Sequence, residues 1–292
     1  MVYSIHIDFW GLSTCVEVGC YLDIEYLEYY FRDLITDNHS EPYINIRLAT
    51  DHAYGFFDAL LIPETLKQIF LKVESGKWNL YEEFYRISSK PSVLPPFFIH
   101  PQIVDSYIAH ASCVAIDHGK SFLLSGPSYS GKSTLALGLA RRGMSLLSDD
   151  LTIVKKDRSI IPFFRPMTVR EDIHTRLPWL FKLIASKNIE TRKIRHLTLI
   201  RVDELFPIKK RINWKFAGLV KLTNIPDSST AHLKRLSSIQ KEQALNNASL
   251  GSPPISTKRL LLKSVDFFEF IYNLDMGVEE LVDQLINGLI HE

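Results

Sequence analysis

Residues Gly126 to Thr134 read Gly-Pro-Ser-Tyr-Ser-Gly-Lys-Ser-Thr, the spacing Gly-x-x-x-x-Gly-Lys-Ser/Thr of a phosphate-binding P-loop. The chemistry needs these residue types. Gly126 and Gly131 allow a tight turn that aims backbone N–H groups inward, and a following helix adds its positive end to this anion nest. Lys132 supplies a charge that reaches the β and γ phosphates, and the Ser133 hydroxyl can ligate a bridging Mg²⁺. Ser128, Ser130 and Thr134 complete the residues expected to contact a nucleotide. Sixteen residues or so further on, Asp149 and Asp150 form an adjacent acid pair. One such carboxylate can hold Mg²⁺, directly or through water, while the other takes the proton of an attacking hydroxyl.

The flanking elements suit that chemistry. Phe122, Leu123 and Leu124 form the apolar run of a buried strand, and Leu135, Leu137, Leu139 and Ala140 continue as a helix that opens inside the motif. Gly143 can end this helix, and Met144 to Ser148 reads as a second strand whose end presents the acid pair. Strand ends beside such a loop are where open α/β sheets bind ligands. Tyr107 to Asp117 is expected to be a strand entering the same domain. Asp172 to Lys187 reads as helix interrupted at Pro178, Phe216 to Leu222 as a core strand, and Leu236 to Leu250 and Val278 to Ile290 as amphipathic helices. The basic stretch from Lys187 to Asn213 is either a solvated surface or a loop that contacts nucleotide and substrate.

Upstream, Val2 to Asp8 and Cys15 to Leu22 read as strands joined by a turn near Gly11. Asp23 can cap a helix carrying Ile24, Leu27, Phe31 and Leu34 on one face, with Tyr26, Tyr29 and Tyr30 beside them. Such an aromatic stripe serves core, interdomain contact or peptide binding. Short strands follow at Tyr43 to Leu48, Tyr54 to Leu61 and Leu80 to Ile87. The prolines at 91, 95, 96 and 101 then mark a boundary, giving a small, mostly β (α+β) domain over 1–100 and a P-loop α/β domain over 101–292.

Composition excludes little but bounds the answer. The 292 residues are 46% hydrophobic and 23% charged, as in a globular protein with a packed core. Lys plus Arg number 34 against 33 Asp plus Glu, so the overall field argues for neither nucleic acid nor a membrane surface as partner. Cys15, Cys20 and Cys113 have no C-x-x-C spacing and fit a reducing compartment. No segment reads as a signal peptide or membrane span, so the expected location is the cytoplasm.

Together these residues resemble the catalytic domain of HPr kinase/phosphorylase and its related kinases. The likeness rests on the Gly126 to Ala136 run, Arg142-Gly143, the Leu147-Ser148-Asp149-Asp150 strand end, and His110 upstream. It covers roughly Tyr107 to Ile290. The resemblance implies ATP and Mg²⁺ as cofactors, Asp149 as the general base, Asp150 with Ser133 on the metal side, and His110 positioning the base, with the two Asp roles open to exchange. The long-form signature Glu-Ile-Arg-Gly-Leu-Gly is missing. In its place stand Arg165, Arg170 and Glu171: either Arg can stabilise γ-phosphate charge and Glu171 can replace a metal-side acid, or each is a surface ion-pair residue. The chain therefore resembles the shorter relatives, among them kinases acting on the C-terminal serine of lasso-peptide precursors.

The expected activity is ATP-dependent transfer of the γ-phosphoryl group to a serine hydroxyl of a peptide. Two alternatives stand beside it: a small-molecule kinase or HPr-type kinase/phosphorylase, and a non-catalytic nucleotide switch. The larger relatives are hexamers, which leaves a homo-oligomer open.

Overall fold

A computed structural model describes residues 3–18, 21–37, 44–51, 56–61, 103, 105–116, 119–170, 173–194, 197–208, 213–251 and 253–291. The proline cluster, the expected strand Leu80 to Ile87, Cys20 and Glu171 lie outside them. The chain divides into two compact units, one of residues 1–104 with 193–197, the other of 105–192 with 198–292.

The first unit holds a four-stranded sheet in the order β1 (Tyr3–Asp8), β2 (Ser13–Val18), β3 (Ile44–Asp51), β4 (Phe56–Leu61). The β1–β2 hairpin turns through Gly11 at φ 94°, a conformation that suits glycine. Strands β2 and β3 are parallel, and α1 (Tyr21–Phe31) lies between them in sequence, as a parallel connection requires. The helix starts at Tyr21, before Asp23. Its Tyr26, Leu27, Tyr29, Tyr30 and Phe31 are all buried, and the Phe31 ring meets Phe9 edge-on at 5.3 Å. The aromatic stripe is buried and not an open binding face.

The second unit is built on a mixed six-stranded sheet in the order β15-β16-β14-β7-β6-β8. Its strands are β6 (Ala111–Ala115), β7 (Lys120–Ser125), β8 (Ser145–Ser148), β14 (Lys215–Asn224), β15 (His232–Arg235) and β16 (Asp266–Tyr272). Side chains alternate between its faces. Phe122, Leu124, Val220, Leu222, Phe268 and Phe270 face one core with α2 (Lys132–Arg141) and α8 (Val278–His291). Cys113, Leu123, Phe216, Leu219 and Phe267 face another with α6 (Ser238–Ala248) and α7 (Ile255–Ser264). The result is a three-layer α/β/α unit.

Directions in this sheet decide where the chemistry gathers. Strand β6 runs antiparallel to both β7 and β8, so those two point the same way. β14 is parallel to β7 and β16 to β14. The chain leaving Ser125, Ser148, Asn224 and Tyr272 therefore emerges at one sheet edge, and β6 begins there.

Remaining elements of this region are β5 (Tyr107–Ala109), β9 (Thr152–Val154), β10 (Ile160–Ile161), β11 (Met167–Arg170), α3 (Ile173–Arg176), α4 (Pro178–Lys187), β12 (Thr191–Ile194), β13 (Leu197–Ile200) and α5 (Val202–Leu205). The expected strand Tyr107 to Asp117 is broken at His110, because β5 turns away to pair with β9 while β6 joins the main sheet. Pro178 starts α4 at a position where its missing N–H costs nothing. The Lys187 to Asn213 stretch is not simply a basic loop: it contains two strands and a helix, and Arg201 within it is fully buried with Asp203 at 2.7 Å.

Candidate functional site

The loop after β7 has the geometry its glycines imply. Gly131 caps α2 in the left-handed region at φ 84°, and a side chain at Gly126 would place its Cβ 2.6 Å from Ser130 Oγ. Ser130 is buried, and its hydroxyl has no hydrogen-bond partner among the described residues. Lys132 folds back across its own loop and donates to the carbonyls of Gly126 at 2.9 Å and Pro127 at 3.1 Å. Burial pushes the Lys132 pKa down, with Arg170 adding to that and Asp150 and Asp149 opposing it. Thr134 is buried at the helix start, while Ser128 and Tyr129 are exposed at the loop apex.

Ser133, on the first turn of α2, hydrogen-bonds both carboxylate oxygens of Asp149, at 3.1 and 3.0 Å. Ser112 of β6 donates to Asp149 Oδ1 from the other side. Asp149 is buried, and that burial, together with the neighbouring Asp150, pushes its pKa up, while Ser112, Arg165 and Ser133 oppose the rise.

Asp150 turns out of the strand end at φ 62°, and its side chain is 49% exposed. His110 Nε2 contacts its Oδ1, and Arg165 Nη2 contacts its Oδ2 at 2.6 Å. Crowding alone would raise the Asp150 pKa, but the hydrogen bond from His110 and the charge of Arg165 outweigh it and hold the carboxyl well below the usual range. His110 sits at the break between β5 and β6, fixed by its backbone N–H on Ala248 O at 2.7 Å. Arg165 is buried and also donates from Nε to the Asp149 carbonyl at 3.2 Å.

The expected site residues are thus brought to one edge, with two changes in how they pair. Ser133 partners Asp149, not Asp150, because Asp149 continues the line of β8 toward α2 while the left-handed turn at Asp150 swings its side chain away. His110 correspondingly meets Asp150. Arg165, expected at a γ-phosphate, instead braces the acid pair. Pro166, which follows it, and the Phe163–Ser148 bridge carry this segment past the end of β8.

Sequence reasoning passed over Ser112, Tyr272 and Leu274. Ser112 is the second residue of β6, and its neighbour Cys113 pairs with Ser148 at the end of β8. A hydroxyl inside the apolar run Ala111 to Ala115 was the available signal. Tyr272, at the end of β16, donates its hydroxyl to Ser130 O, and Leu274 packs where a Cβ on Gly131 would stand, 3.1 Å away.

No protein-family model matches this chain, and no curated protein matches it either. Among solved structures, the Hpr(Ser) kinase/phosphatase from Coxiella burnetii is similar over 63% of this chain and 96% of its own, at 13% identity and a TM-score of 0.33. A similarity of that degree decides nothing about fold or chemistry.

Proposed function

We propose that the chain is a Mg²⁺-ATP-dependent kinase that transfers the γ-phosphoryl group to a serine hydroxyl of a peptide. The observation that carries this reading is the Ser133–Asp149 contact beside the Asp150–His110 pair, all at the mouth of the glycine loop. One acid is tied to the hydroxyl of the phosphate loop and the other is turned outward beside it, as two-part phosphoryl transfer needs.

The donor set fits Mg²⁺, a hard ion that takes one or two carboxylates with phosphate oxygens and water. Ser133 Oγ and the Asp149 carboxylate would hold it, and when bound it would neutralise charge on the β and γ phosphates. Within the chain, the backbone from Gly126 to Gly131 orients the phosphates, and Lys132 exchanges its own loop carbonyls for phosphate oxygens. Asp150 and His110 then face the acceptor: the hydroxyl oxygen bonds to the γ phosphorus, the bond to the β-phosphate oxygen breaks, ADP leaves, and the hydroxyl proton passes to the Asp150–His110 pair. Arg165 and Ser112 hold the two acids apart in their separate tasks. The roles expected for Asp149 and Asp150 are exchanged in this proposal, because the metal-side acid must be the one that meets Ser133.

The acceptor to try first is a peptide ending in serine, of the kind found in lasso-peptide precursors. Incubated with Mg²⁺-ATP and the wild-type protein, it should gain about 80 Da for one phosphoryl group in its mass spectrum. Transfer to free alcohols or metabolites with none to peptides would replace the peptide reading by a small-molecule kinase. ATP binding without transfer to any acceptor would replace it by a nucleotide switch.

A further inference from the structure

We propose that Arg170 is the residue that reads the distal phosphate of a nucleoside triphosphate, and that its stack on Tyr129 is a resting perch. The inference rests on the phosphate-loop reading above.

Arg170 ends β11, exposed, with its guanidinium 3.8 Å from the centre of the Tyr129 ring. Tyr129 is the apex residue of the glycine loop, 74% exposed and in the left-handed region at φ 68°, where a bulky side chain is disfavoured. An aromatic side chain held open at that point gains nothing from burial, and its partner is a cation. No described carboxylate pairs with Arg170. Lys132 lies across the same loop, donating to the carbonyls of Gly126 and Pro127. Two cations thus sit on one loop, whose buried Ser130 hydroxyl has no hydrogen-bond partner among the described residues. A phosphate brought to this loop would be attracted by both cations.

Bond strengths set the direction of movement. A guanidinium over an exposed ring is a weak contact, whereas a bidentate guanidinium–phosphate pair is among the strong charge-assisted ones. Arg170 should therefore leave Tyr129 when a phosphate comes within reach. The apex of such a loop lies toward the terminal phosphates, where charge spreads over the oxygens of the transferring group. Arg165 cannot take this part, since its guanidinium is buried on Asp150 and the Asp149 carbonyl.

The test compares binding of ADP and of the non-hydrolysable β,γ-imido analogue of ATP, each with Mg²⁺, to the wild-type protein, Arg170→Ala, Arg170→Lys and Tyr129→Leu. Arg170→Ala should weaken the triphosphate analogue about 10- to 100-fold and leave ADP within about twofold, the loss of one charged hydrogen-bonding partner. Arg170→Lys should recover part of the triphosphate affinity. Tyr129→Leu should keep the preference for triphosphate, because only the perch is removed. Equal losses for both nucleotides in Arg170→Ala would mean that the stack merely stiffens the loop, and no loss for either would mean that Arg170 reads nothing. In both cases ADP binding by the wild type would leave the kinase reading intact. Failure of the wild type to bind either nucleotide would overturn both.

Discussion

A methyl group at Gly126 would stand 2.6 Å from Ser130 Oγ and 3.1 Å from the Leu222 carbonyl, one a hinge of the loop and the other backbone of β14 that cannot yield. Gly126→Ala should therefore open the loop and cut nucleotide affinity at least tenfold, about 1.4 kcal/mol, with the thermal midpoint little changed. Titration calorimetry checks this, and unchanged affinity would show that the loop does not grip phosphate tightly. The residues of this loop were legible in the sequence because the motif is local, its glycines and lysine being fixed relative to one another within nine positions. Ser112, Tyr272 and Leu274 were not. They reach the site from β6, from the last residue of β16 and from just beyond it, and their contacts exist only once strands far apart in the chain share an edge. Which acid meets Ser133 was left open by the sequence, since it follows from a left-handed turn at Asp150 that two adjacent aspartates do not announce.

Elements carry the site by holding that edge together. Helix α2 sets the loop against α8 through Gly138, where a Cβ would lie 2.6 Å from Val282 Cγ2 and 3.4 Å from Val278 Cγ1. Arg141–Glu279 at 2.5 Å and Arg142–Asp283 at 2.8 Å reinforce the contact outside. Alanine at position 138 would regain about 1 kcal/mol of helix propensity and mask the clash, so valine is the informative substitution. Gly138→Val should cost at least about 2 kcal/mol in urea denaturation at constant m-value. A smaller cost would mean that α8 shifts freely. Strong periodicity made α2 and α8 readable, and the apolar runs made β7, β8 and β14 readable. The break at His110 was hidden because residues 107–115 are apolar on both sides of it. Strand β16 was missed because its aromatic run follows α7 without a turn signal, and the basic count of residues 187–213 concealed strands between the charges.

At the scale of the whole molecule, the second unit buries carboxylates whose ionised forms help hold its fold. Burial pushes Glu269 up, but hydrogen bonds from Lys221, Lys234 and Thr223, at 2.7, 2.9 and 2.7 Å, outweigh it and hold its pKa down at about 2. A depressed carboxyl pKa stabilises the fold above the unfolded value of 4.5 and loses that contribution as pH falls toward 2. Asp150 acts in the same sense. Asp149 acts in the opposite one, its protonation relieving a buried charge. Because the two lysines are 43% and 46% exposed, Glu269 is worth about 1–3 kcal/mol. The urea midpoint should thus fall between pH 5 and 2, and Glu269→Gln should flatten that fall while lowering stability at pH 7. A fall of the same steepness in the variant would remove Glu269 from the account. Among the described residues no helix is long and apolar enough to cross a membrane.

The most direct measurement compares Asp149→Asn with Asp150→Asn for Mg²⁺-dependent ATP binding and for phosphoryl transfer to a serine-terminated peptide. The account predicts that Asp149→Asn weakens the Mg²⁺-dependence of binding and loses transfer with it, whereas Asp150→Asn binds Mg²⁺-ATP as the wild type does and loses at least about 100-fold in transfer rate. Full transfer by Asp150→Asn, or Mg²⁺-ATP binding by Asp149→Asn that matches the wild type, would contradict it.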